Sequence, residues 1–418
     1  MPNPNSSARR IAPPHDLTIP ESGSVTARGV LSAALGRLVA ELPTVGRGFS
    51  ASIDVRTDLA QFQTLCRDLA RKHPGALSSF LRRTPIATLV RSLRQEPSEA
   101  LVSELVGLFY FELARVGALD AVQHQHRVPR RIVSLGGRLV LTIPQLARSV
   151  VYANGAILVN LPSGAIELQI EELTEVPAGF RADLGGVLAE KPYHCIEGDI
   201  VLALADNNPL AMFEAHPNKH GNAIDLGGKP IEQWTGVLRD ALHIVELFLP
   251  DVRREMDLFV QQIIPVGYDE EKHLSASYQE AIGTIYSSLH PSLVTMTEAL
   301  IHEFSHNKIN ALFELDDVLE NAFSPLYTSP VRPDPRPLHG VLLAVHAFLP
   351  VARLFERMIE RGHPLSQSQA FLARFARVRQ INAEGAEVLL THARPTETGK
   401  PLMEEIRRWH TYYGKVGP

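Results

Sequence analysis

Residues 290–315 read HPSLVTMTEALIHEFSHNKINALFEL. Pro291 stands near the start, a favoured first-turn position for a helix. Leu293, Met296, Leu300 and Phe304 are spaced by three, four and four, which makes an apolar stripe along one face. His302 and His306 lie roughly 200° around the helix from Leu300 and Phe304, on the opposite side. Four residues advance the helix by about 6 Å, so both imidazoles project from the same face one turn apart. Further along, Ile309 and Phe313 continue the histidine side as apolar residues. A helix that is apolar on two sides is a buried helix. Two histidines on it need partners, and an HExxH spacing (His302, Glu303, His306) is one in which two imidazoles hold one metal ion. Glu303 is the motif's acid, the residue that activates a metal-bound water in hydrolases.

A mononuclear site needs more than two imidazoles. Downstream candidates are Glu314, Asp316, Asp317, Glu320, Asp334, His339 and His346. A metzincin would continue as HExxHxxGxxH. Here 307–312 is NKINAL, with neither the glycine nor the third histidine, so that reading fails. A gluzincin would take a glutamate from a second helix, for which Glu320 is a weak candidate. Glu298, one turn before His302, is placed to hydrogen-bond an imidazole from behind.

The second informative stretch is 329–358, SPVRPDPRPLHGVLLAVHAFLPVARLFERM. Pro330, Pro333, Pro335 and Pro337 bias their predecessors away from helix, so the first half reads as a rigid, extended loop bearing Arg332 and Arg336. Such a loop suits bidentate capture of a carboxylate. A helix is expected from about Pro337, and His339, His346 and Arg353, each seven residues apart, share one of its faces.

The rest of the chain frames these two stretches. With 418 residues there is room for two or three domains or one large one. Apolar residues make up 45% and charged residues 21%, an ordinary globular balance. A net charge of −5 offers no basic excess for neutralising phosphates, which argues against a nucleic-acid partner. Cys66 and Cys195 form one bridge at most and are expected to be reduced. Residues 1–25 begin polar and Pro-rich and read as a disordered tail; with no signal-like run there, a cytoplasmic protein with no membrane association is expected. The longest apolar stretch, GVLLAVHAFLPVA, is interrupted by a histidine and a proline and reads as too short to span a bilayer.

From 26 to 127 the apolar spacing is helical, with Arg82, Arg83, Arg91 and Arg94 as a local positive cluster. That cluster reads first as a solvated helix face, and otherwise as a docking surface for an acidic peptide. From 128 to 205 short β-like runs follow, among them 139–142, SVVYA and AILVNL. Asn154-Gly155 between the last two is a strong hairpin signal. IVLALAD at 200–206 reads as a further strand. The 206–418 part opens on a turn-rich loop, HPNKHGNAIDLGGKP, and from Ile231 reads as helical with few breaks. Two helices, over 365–393 and 402–413, are expected to pack on the core, with Trp409, Tyr412 and Tyr413 as an aromatic cluster. The predicted fold class is therefore α+β: mostly helical, with a helical catalytic core carrying HExxH, a small antiparallel sheet in mid-chain and a helical N-terminal region.

ALIHEFSHNKINAL and SPVRPDPRPLHGVLLAVHAF, and more loosely ADNNPLAMFEAHPNKHGNAIDLGG at 205–228, resemble the 2-oxoglutarate-dependent HExxH-type peptide β-hydroxylases of ribosomal peptide biosynthesis. The likeness covers roughly residues 200–360. It implies an oxidoreductase, a dioxygenase using non-haem Fe(II), 2-oxoglutarate and O₂ to hydroxylate a β-carbon of a ribosomally made precursor peptide, its partner. It also implies that His302 and His306 are iron ligands, with His346 as the third; the family is expected to carry that histidine nearer Leu343. Arg336 or Arg353 would then bind the distal carboxylate of 2-oxoglutarate, and Glu303 would orient a ligand or the substrate. The alternative is a zinc metallopeptidase in which Glu303 is the general base, and a third is a non-catalytic peptide-binding protein with a vestigial site.

Overall fold

The computed structural model describes residues 17–20, 23, 25–211, 215–216, 219–329 and 334–415. Most of the N-terminal tail expected to be disordered lies outside them, as do Pro330, Arg332 and Pro333. The chain is α+β, with twelve helices and several small sheets among the described residues. It forms two compact units: the described parts of 31–240 and 259–296 make one, and those of 1–30, 241–258 and 297–418 make the other.

The first unit opens with α1 (Val25–Glu41, shared between the units), α2 (Ile53–Lys72), α3 (Pro74–Leu81), α4 (Thr84–Gln95) and α5 (Glu99–Arg115). Pro74 and Pro85 occupy first-turn positions, where a missing N–H costs nothing. Ser98 caps α5 by accepting from the Leu101 N–H at 3.3 Å. Nearly all of α5 is buried, and Phe62 of α2 packs edge-on to Phe109 in the core beneath it. The arginine cluster is not one solvated face. Arg91 is buried, while Arg94 is ion-paired to Glu41.

Strands follow. β1 (Gln123–Gln125), β4 (Ser149–Ala153), β5 (Ala156–Leu161) and β6 (Gly164–Gln169) form one antiparallel sheet, in that order for β1-β4-β5-β6. β2 (Arg131–Ser134), β3 (Leu139–Thr142), β7 (Arg181–Leu184) and β8 (Val187–Glu190) form another, ordered β2-β3-β8-β7. A short α6 (Ile170–Glu175) separates β6 from β7. Asn154-Gly155 does join β4 to β5. Only Gly155 has a positive φ, 79°, so the turn is not the type I′ that requires it at both positions.

β9 (Tyr193–Glu197) and β10 (Ile200–Ala203) open a third sheet, and after the two-residue strands β11 (Ala215–His216) and β12 (Lys219–His220) it is completed by β13 (Gln262–Tyr268), β14 (Ser275–Ala276) and β15 (Thr284–Leu289). Its order is β14-β15-β13-β10-β9, with β10, β13 and β15 parallel. Antiparallel pairing in mid-chain is as expected; this mixed sheet adds to it, and β13 to β15 are among the breaks in the helical stretch read from Ile231. Strands buried on both faces carry a continuous apolar run instead of an alternation, and QIIPV is such a run. The turn-rich loop before it closes on β13 where Asp225 bridges Val266. Gly227, with φ 61°, lies so close that a Cβ there would be 2.3 Å from the Tyr268 nitrogen.

α7 (Ile231–Phe248) and α8 (Pro250–Phe259) each straddle the division between units. α9 (Leu293–Phe313), a hairpin of β16 (Leu326–Tyr327) with β17 (Arg336–Pro337), α10 (Leu338–Glu360), α11 (Gln369–His392) and α12 (Gly399–Lys415) complete the chain. α10 begins at the proline-rich loop, as expected. At 23 residues it is long and apolar enough to cross a membrane by length and composition, although its most apolar window is 78% buried within the protein. That length exceeds what the interrupted apolar stretch implied, because neither His346 nor Pro350 ends the helix. Both cysteines are free, Cys66 buried and Cys195 exposed.

Candidate metal centre

The site is built on α9. Ser292 accepts from the Thr295 N–H at 3.2 Å and so caps the helix start. No glycine or proline interrupts the next five turns. Met296, Leu300 and Phe304 are buried as the stripe requires. On the other face, the Nε2 atoms of His302 and His306 lie 2.9 Å apart, with the rings nearly perpendicular at 88°. Two ligands at right angles around an ion bound at roughly 2.1 Å would be about 3 Å apart, so the pair fits one metal ion. The Glu303 carboxylate joins them: the three donor atoms all lie within 4.8 Å of one another. Glu303 is buried, whereas both histidines keep part of their surface open. Two imidazoles and a carboxylate are the donor types of the non-haem Fe(II) facial set, and they also suit zinc.

Burial, helped by neighbouring His339, pushes His306 down to about 4. It is therefore a neutral imidazole at neutral pH, the form that ligates metals. Its Nδ1 is buried with no hydrogen-bond partner among the described residues. The His302 ring packs against Phe348 of α10, 4.6 Å between centroids.

The structure does not bring the remaining sequence candidates into this cluster. His346 is buried on α10, but its Nε2 donates to the Leu17 carbonyl at 3.1 Å. Burial, and then the charge of Lys308, drives its pKa to about 3. His339 lies between the rings of Phe313 and Phe323, at 4.7 and 5.2 Å. Asp316 accepts from Val318 N–H and the Thr396 hydroxyl, which fixes a loop. Glu320 faces Arg394 at 3.6 Å. Glu298 does not support an imidazole; it receives the Arg374 guanidinium, Nε at 2.9 Å.

Both proposed carboxylate binders have protein partners. Arg336 pairs with Asp334 at 2.8 Å. Arg353 is buried against Glu356 at 2.6 Å, and the same carboxylate accepts from the Tyr412 and Tyr413 hydroxyls. Trp409 is fully buried, so the aromatic cluster is core, yet Trp409 and Tyr413 also line a cavity of about 470 Å³ among α10, α11 and α12.

Three functional candidates carried no local signal. Lys308, half a turn after His306, is buried and paired with Glu255 at 2.6 Å. Arg374 stands over the Phe348 ring at 5.8 Å, the same ring that packs on His302. Glu405 of α12 is buried and accepts from the backbone of Leu17 and Thr18. Lys308 is on the metal helix itself, and only the folded chain shows its partner Glu255 and what Arg374 and Glu405 lie against. Compared with known protein families and with curated proteins, the chain matches none.

Proposed function

We propose that this protein is an Fe(II)- and 2-oxoglutarate-dependent oxygenase that hydroxylates a β-carbon in a ribosomally made precursor peptide. The observation that carries the reading is the donor set on one turn of α9, His302, Glu303 and His306, in a chain whose 299–312 and 329–348 blocks resemble that enzyme family. With Fe(II) bound, such a site couples oxidative decarboxylation of 2-oxoglutarate by O₂ to C–H hydroxylation, giving succinate, CO₂ and the alcohol.

The chain's own residues have separable tasks in this reading. His302 and His306 hold the ion, and Glu303 adds the negative charge that favours a divalent cation. Phe348 covers the His302 ring and excludes water from that side. Arg374 takes the place of Arg336 and Arg353 as the proposed cation for the distal carboxylate because it stands over the Phe348 ring that packs on His302; like them it has a carboxylate partner, Glu298, which the ligand would have to displace.

The test is anaerobic loading with Fe(II), followed by 2-oxoglutarate, O₂ and candidate precursor peptides. A product heavier by one oxygen with equimolar succinate supports the reading. Full turnover with zinc and no 2-oxoglutarate overturns it in favour of a zinc metallopeptidase. One observation favours that second reading: the Glu303 carboxylate sits within the cluster, where a general base would be needed.

A further inference from the structure

The short segment Leu17–Pro20 has no regular secondary structure, yet Thr18 and Ile19 are almost fully buried. Its peptide groups are read by side chains of three helices. The Glu405 carboxylate of α12 accepts the Leu17 N–H and the Thr18 N–H, both at 2.9 Å, and the Thr18 hydroxyl at 3.1 Å. His346 of α10 donates to the Leu17 carbonyl at 3.1 Å. Lys308 of α9 reaches the Thr18 carbonyl at 3.5 Å. Two consecutive residues, Leu17 and Thr18, thus have both their N–H groups and both their carbonyls engaged.

An anchor serving only the fold has cheaper solutions, because burying charged side chains costs free energy unless their bonds are used. Apart from the Thr18 hydroxyl, the contacts are to main chain, which every peptide shares. Lys308 is on the metal helix, half a turn from His306, so the groove lies against α9. Beyond it, Ile19 and Pro20 border a cavity of about 330 Å³ that also takes in Arg353, Arg357 and Arg361. Asp251 lines the same cavity and Arg353 is held by Glu356, so a chain leaving the groove in that direction meets chiefly Arg357, which is paired with Glu360, and the exposed Arg361.

We propose that Glu405, His346 and Lys308 form a main-chain-reading groove for an extended peptide with acidic residues on its C-terminal side, and that Leu17–Pro20 is its occupant in cis, displaced when such a peptide binds. The inference concerns binding alone and holds for either metal chemistry, so it stands or falls apart from the oxygenase reading.

The probe is a fluorescent synthetic peptide of residues 15–22, HDLTIPES, followed by anisotropy with the full-length, metal-free protein. Thr18→Pro removes one N–H that Glu405 reads and loosens the resident segment. The T18P protein is expected to bind the probe at least tenfold more tightly than the wild type. Adding Glu405→Gln is expected to abolish that gain. No gain in a T18P protein that melts like the wild type, or a gain that survives E405Q, overturns the proposal. If T18P does not fold, a full-length protein carrying a protease site between Gly23 and Val25 decides. After cleavage, the N-terminal fragment should dissociate on dilution from a protein that stays folded, and rebind less in the E405Q background. A fragment that leaves only with global unfolding overturns it.

Discussion

His302 and His306 present their Nε2 atoms to each other at 2.9 Å, on a helix whose opposite face is packed with Met296, Leu300 and Phe304. Two imidazoles at that separation can chelate a single ion. The protein purified without chelator should therefore contain close to one transition-metal ion per chain. His302→Ala and His306→Ala should each lower metal affinity by well over tenfold, measured by competition with a chromophoric chelator.

His346 gives the opposite expectation. Its Nε2 is spent on Leu17. His346→Ala should leave metal stoichiometry near one, as measured by elemental analysis. Loss of the ion in this variant would restore the ligand role that the family resemblance implies.

Glu303→Gln separates the two chemistries when assayed at saturating metal. A metallopeptidase losing its general base should fall by about 10²–10⁴ in kcat. The oxygenase should lose less than about tenfold, with weaker metal binding as the main change.

Arg374 and Arg353 should behave differently under substitution. Arg374→Ala should raise the KM for 2-oxoglutarate several-fold or more with a smaller change in kcat. Arg353→Ala should leave that KM alone and lower stability by about 3–5 kcal/mol in urea unfolding, because Glu356 is left buried without its guanidinium.

His273 supplies a pH signature unrelated to the metal. Burial first, and then neighbouring His290, pushes it down to about 4, so the folded protein binds its proton less readily than the unfolded chain does. The stability it contributes is complete above the unfolded value of 6.5 and is lost as pH falls from there towards 4. Denaturant titrations between pH 7 and 4.5 should show a slope component approaching about 1.4 kcal/mol per pH unit, absent in His273→Gln.

Helix α9 and its histidine pair were legible in the sequence because they depend on local geometry alone: a 3.6-residue period puts positions four apart side by side whatever surrounds them. The β4–β5 hairpin was legible for the same reason, since Asn154-Gly155 punctuates two alternating runs. Strand β13 was not, because a strand buried on both faces loses its alternation and resembles any buried apolar segment, and β15, TIYSSL, buries Thr284, Ser287 and Ser288 among its apolar residues and so gives no apolar signal. The α+β class itself needed only these local periods.

What surrounds the metal was decided by tertiary structure. The sequence offers Arg353 as a ligand-binding cation, and Glu356, itself accepting from two α12 tyrosine hydroxyls, neutralises it. His346 was read as a metal ligand, and a carbonyl 329 residues away takes its proton donor. Glu405 and Leu17, 388 residues apart, carry no trace of each other in the sequence. A side chain's type states which bonds it can make. Which partner it meets depends on how distant segments pack, and no local period encodes that.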